Sequence, residues 1–108
     1  MSKREILERF VRELRDRYGD RIERIILFGS VARGEDRKDS DIDVLVITND
    51  DSFRMQREIS DVVLDILLDT GVYVSVKVLS LDEYDFLRRV KTSFYRTILE
   101  EGVTIASS

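Results

Sequence analysis

The chain predicts an α/β fold, α+β by stricter naming, in which a small mixed β-sheet is packed with helices. Three observations predict it. Two short apolar runs bounded by turn residues, Ile25–Phe28 and Val44–Ile47, read as buried strands. A third stretch alternates: Val72, Val74, Val76 and Val78 share one face, and Tyr73, Ser75, Lys77 and Leu79 the other. Around these, apolar residues recur at helical spacing. A single domain, residues 1–108, is expected, large enough to bury a modest core.

At the N-terminus, Ser2-Lys3-Arg4-Glu5 is a capping-box pattern ahead of Ile6, Leu7, Phe10, Val11, Leu14 and Tyr18, which share one helical face. Gly19 is the expected stop. The other face carries Arg4, Arg9, Arg12, Arg15 and Arg17 among Glu5, Glu8, Glu13 and Asp16, the mixed charge of a solvated helix surface. Strand one is predicted at about Arg21–Phe28, and the loop Ser30–Ser40 leads into strand two. Asn49-Asp50-Asp51-Ser52 is a turn and helix start, after which Met55, Ile59, Val62, Val63, Ile66 and Leu67 form a buried stripe ended by Gly71. A strand–helix–strand unit of this length makes strands two and three parallel neighbours, and strand one pairs antiparallel to strand two. Ser80-Leu81-Asp82-Glu83 is a second capping box, with Leu79 and Tyr84 as a hydrophobic staple. Leu87, Val90, Phe94 and Ile98 continue a helical stripe with a break near Thr92-Ser93, and Gly102 closes it. The tail Val103–Ser108 is weakly specified and receives no element.

Composition excludes several chemistries. With 43 % hydrophobic and 37 % charged residues the chain is globular rather than disordered. No apolar run has membrane-spanning length, and the stretch MSKREILERF lacks a signal-peptide core, so a cytoplasmic protein without membrane attachment is expected. There is no Cys, hence no disulfide, thiolate nucleophile or zinc–thiolate site. There is no His, which removes the usual general base. Chemistry must rest on carboxylates, hydroxyls, Lys or Arg, and metal-assisted phosphoryl or nucleotidyl transfer survives that filter. A net charge of −4 argues against nucleic acid as a partner.

The stretch Ile25–Ile47 holds the candidate site. The first apolar run ends on Gly29-Ser30. Gly29 allows close backbone approach to a ligand, and Ser30 offers a hydroxyl and an N–H to anionic oxygens. The second run opens with Asp41-Ile42-Asp43, whose carboxylates project from one side, repel each other and call for a hard cation such as Mg²⁺. In the loop between, Arg33, Arg37 and Lys38 come within reach of a triphosphate, Arg37 and Lys38 reading as ordinary loop charges. Asp36 and Asp39 read as turn formers rather than metal ligands.

Gly29-Ser30, Ala32-Arg33-Gly34 and Ser40-Asp41-Ile42-Asp43 together resemble the signature of the polymerase beta nucleotidyltransferase superfamily, and most of all its minimal nucleotidyltransferases (MNT). The resemblance implies a nucleotidyltransferase-like fold. It implies a nucleoside triphosphate substrate, ATP foremost, held by Gly29, Ser30 and Arg33. It also implies Mg²⁺, one or two ions, on the catalytic carboxylates Asp41 and Asp43. An oxygen nucleophile then attacks the α-phosphorus and pyrophosphate leaves. The family adds a third carboxylate from the neighbouring strand; strand three here has none, its polar positions being Ser75 and Lys77. Lys77 on that face would oppose a second cation. Two functions are therefore expected. One is an Mg²⁺-dependent transferase acting on a hydroxyl acceptor, with a helical HEPN protein as partner. The other is a catalytically weakened nucleotide-binding or antitoxin-like subunit acting through that partner. A homodimer is a further expectation from the small size of the domain.

Overall fold

A computed structural model describes residues 1–107. Strands β1 (Ile22–Phe28), β2 (Ile42–Thr48), β3 (Val74–Ser80) and β4 (Val103–Ser107) form one sheet in the order β3-β2-β1-β4. β2 and β3 run parallel, and β1 is antiparallel to both β2 and β4. Helices α1 (Lys3–Tyr18), α2 (Gly29–Arg33), α3 (Ser52–Thr70), α4 (Leu81–Val90) and α5 (Ser93–Glu101) complete the chain. No helix among the described residues is long and apolar enough to cross a membrane.

The predicted caps form. Ser2 and Ser80 each accept from the backbone N–H three residues on, and Glu5 and Glu83 return the bond. Asp51 caps α3 through Phe53 and Arg54, and Thr92 caps α5, so the break before Ser93 separates two helices. Each such cap is worth about 0.5–2 kcal/mol.

Strand alternation divides the interior into two layers. Ile25, Leu27, Ile42, Val44, Val46, Val74 and Val78 face α1 and α3, where Ile6, Phe10, Leu14, Met55, Ile59, Val62 and Ile66 close the larger core. Ile26, Leu45, Ile47 and Leu79 face the other way, under Ile98 of α5 and beside Phe28, Tyr84, Leu87 and Phe94. The sheet is thus covered on both sides, which is why β2 reads as an unbroken apolar run.

Two expectations are corrected. Val103–Ser107, left without structure by the sequence, is the edge strand β4, and it pairs Ile25 with Ala106 and Leu27 with Val103. Gly102 permits the turn into it: a Cβ there would lie 2.4 Å from the Ile98 carbonyl oxygen and 2.8 Å from Ile26 Cγ2. Pairing with β1 and packing of Ile105 and Ala106 against the larger core stabilise this short segment, so no local signal announces it. Second, Gly29–Arg33 is a short helix rather than the start of an open loop, and Gly34 in the left-handed conformation ends it.

Candidate active site

β1 and β2 are antiparallel with Phe28 opposite Asp43, so the end of one meets the start of the other. At that junction Gly29 adopts φ +75° and turns the chain into α2. A Cβ on Gly29 would stand 2.3 Å from Asp43 Oδ2, well inside any allowed contact. The glycine therefore makes room for the carboxylate as well as for a left-handed turn. The Gly-Ser and Asp-Ile-Asp segments come together as the spacing predicted.

Asp41 precedes β2 and is exposed; Asp43, two residues on, is half-buried. Burial pushes the Asp43 carboxyl above the usual aspartate range, the charge of Asp41 adds to this, and the nearby Arg33 guanidinium opposes it. The pair is an anionic site that a cation would relieve. Its donors are hard carboxylate oxygens, which suit Mg²⁺.

Arg33 ends α2 and is committed elsewhere in part. Its Nε donates to Glu35 at 3.1 Å and its Nη1 to Glu101 of α5 at 2.9 Å. These hydrogen bonds, Glu35 first, hold the guanidinium firmly charged. Glu101 escaped the sequence reading, for it lies far along the chain and only the packing of α5 brings it here. Ser30 stands in the first turn of α2, next to Gly29. In the loop, Asp36 is an ion-pair partner of Lys3 at 3.4 Å rather than a turn former, while Arg37 and Ser40 close a turn on each other around Asp39.

Across the parallel pair, Ser75 is the register partner of Asp43, and Lys77 that of Leu45. Ser75 and Lys77 therefore lie on the sheet face of Asp43. Among the described residues no third carboxylate, Cys or His groups with Asp41 and Asp43. Glu83 is occupied as a helix cap, with Ser80 N–H donating to it at 2.9 Å, and Asp69 pairs with Arg9 at 2.9 Å.

Known proteins of the same kind bear on this geometry. The profile of the nucleotidyltransferase domain family matches residues 7–105. A candidate protein adenylyltransferase of Methanocaldococcus jannaschii is 37 % identical over 102 residues, covering 94 % of this chain and 96 % of that protein. A solved structure described as a candidate minimal nucleotidyltransferase superimposes with a TM-score of 0.56 at 28 % identity, covering 95 % of each chain. The fold also matches, at TM-score 0.57 and 16 % identity, a complex of the tri-AMPylated HEPN toxin of Shewanella oneidensis with its MNT antitoxin, covering 99 % of this chain and 74 % of that one. A profile match over nearly the whole chain, joined to a relative sharing more than a third of its residues, leads to one conclusion: this chain belongs to the nucleotidyltransferase domain family, as one of its minimal nucleotidyltransferases.

Proposed function

We propose that this chain transfers the adenylyl group of ATP to a hydroxyl on a partner protein, in an Mg²⁺-dependent reaction in the cytoplasm, acting as one domain. The observation that carries the reading is the Asp41/Asp43 pair set against Gly29, with Asp43 half-buried and disfavoured as an anion. Asp41 and Asp43 would hold Mg²⁺, which when bound neutralises charge on the phosphate oxygens. Gly29 and Ser30 receive the triphosphate tail with the backbone of α2. Arg33 adds a positive charge on that side, its Nε and Nη1 held by Glu35 and Glu101. The relatives named for protein adenylyltransfer, and the AMPylated HEPN toxin of a structural neighbour, support a protein acceptor and a HEPN-type partner.

Titration calorimetry with ATP, with and without Mg²⁺, tests the nucleotide site. Asp41→Asn with Asp43→Asn is expected to abolish the Mg²⁺-dependent binding; unchanged binding in the double variant overturns the assignment.

One observation favours a second reading, a module that holds nucleotide and acts through its partner: Ser75, not a carboxylate, stands opposite Asp43. Pyrophosphate release from labelled ATP separates the two. Transfer that requires Asp41 and Asp43 supports the enzyme, and tight binding without transfer supports the module.

A further inference from the structure

Arg33 closes α2 one helical turn after Gly29 and Ser30, so its side chain lies on their side of the helix. Helical side chains lean back toward the start of their helix, which carries the guanidinium toward the Gly29-Ser30 end. Its charge is felt at Asp43, where it opposes the upward push on the carboxyl. Nε is taken by Glu35 and Nη1 by Glu101, while Nη2 donates to nothing among the described residues. The guanidinium is thus held in place with part of its donor set still open.

The two carboxylates hold it with unequal rigidity. Glu35 sits in the loop after α2, its side chain 67 % exposed. Glu101 is 28 % exposed and ends α5. Immediately after it, Gly102 packs so closely on Ile98 and Ile26 that no Cβ fits, and Val103 pairs with Leu27 in the sheet. Leu27 is two residues before Gly29. Glu101 is therefore anchored at the same strand end from which α2 departs. An ion pair this exposed adds little to stability. Its effect is on binding, because a long side chain that is already ordered loses less rotamer freedom when a ligand arrives.

We infer that Glu101 is a positioning residue of the nucleotide site: fixed at the junction of α5 and β4, it holds the Arg33 guanidinium in readiness for the phosphates of a nucleoside triphosphate. It touches no substrate and acts only through Arg33. The opposite role, a carboxylate that competes with phosphate for the guanidinium, predicts the opposite change in affinity. The inference rests on the nucleotide site proposed at Gly29, Ser30, Asp41 and Asp43, and the measurements below separate failure of one from failure of the other.

Affinity of the full chain for Mg²⁺·ATP is measured by calorimetry for wild type, Glu101→Gln, Glu101→Asp, Arg33→Met and the double variant Glu101→Gln/Arg33→Met, with the Tm of each. Glu101→Gln keeps the size of the side chain and removes its charge. It is expected to weaken ATP binding about three- to tenfold, the worth of one net hydrogen bond, with Tm little changed. Glu101→Asp, which keeps the charge on a shorter arm, should recover part of that loss. In the Arg33→Met background the same Glu101→Gln change should cost nothing further, since nothing remains to be positioned. An equal loss in both backgrounds would reduce Glu101 to a purely structural residue and overturn the inference. So would unchanged affinity in Glu101→Gln, or a gain, which would make Glu101 a competitor of phosphate. Wild-type ATP binding that is indifferent to Asp41→Asn with Asp43→Asn overturns the proposed site instead.

Discussion

Gly29 and Asp43 occupy one space: the carboxylate oxygen Oδ2 stands 2.3 Å from where a Gly29 Cβ would be. The glycine of the Gly-Ser pair and the second aspartate of the Asp-Ile-Asp segment are therefore a single packing decision. Gly29→Ala is expected to cost about 1–3 kcal/mol from the left-handed backbone alone, read as a Tm lower by roughly 4–8 °C per kcal/mol. Asp43→Ala removes the clashing carboxylate, so the double variant Gly29→Ala/Asp43→Ala should lose less than the two single changes added. Strict additivity in a double-mutant cycle would show that the two sites are not coupled.

The Asp43 carboxyl predicts an inverted pH dependence. Burial and the charge of Asp41 raise its pKa above the unfolded value. In acid, below the usual aspartate range of about 3.9, the group is neutral in both folded and unfolded chains and costs nothing. As pH rises through the raised native value, the folded chain must carry a disfavoured anion, and stability falls. Asp43→Asn keeps the shape and removes the charge. In chelator-treated protein it should raise Tm by a few degrees at neutral pH and leave it unchanged at about pH 3. With Mg²⁺·ATP present the order should reverse, since only the wild type gains ligand stabilisation. A wild-type Tm above that of Asp43→Asn in metal-free neutral buffer would contradict the electrostatic account.

Arg33 opposes that upward shift from the end of α2. Arg33→Met should move the Asp43 carboxyl titration further up, observed through the side-chain carboxyl carbon by NMR. Its ion pair with Glu35 is well exposed and that with Glu101 partly so, so Tm should change little. If the Asp43 titration stays in place, the guanidinium does not act on the site across solvent.

Ser75 lies opposite Asp43 in the parallel register, at the place from which a third carboxylate could reach the pair. Ser75→Asp is expected to tighten Mg²⁺-dependent ATP binding in calorimetry and to raise pyrophosphate release. If two carboxylates already suffice, the variant will bind Mg²⁺ no better and transfer no faster. In that outcome the wild-type site is complete as it stands.

Much of this architecture is written in local patterns. The period-two alternation of Val72–Leu79, the helical stripes of α1 and α3, and the capping boxes at Ser2 and Ser80 are satisfied by residues a few positions apart, so sequence alone announced them. Gly29-Ser30 and Asp41-Ile42-Asp43 were legible for the same reason, and alternation already placed Ser75 and Lys77 on a common face. Tertiary structure decided what depends on distant partners. Val103–Ser107 becomes a strand only because β1 offers an unpaired edge and α5 delivers the chain to it through Gly102. Glu101 reaches Arg33 only because α5 packs over the sheet. The steric need for Gly29 appears only once β1 and β2 are in register, because a side chain's exclusion volume is set by its neighbours in space rather than along the chain.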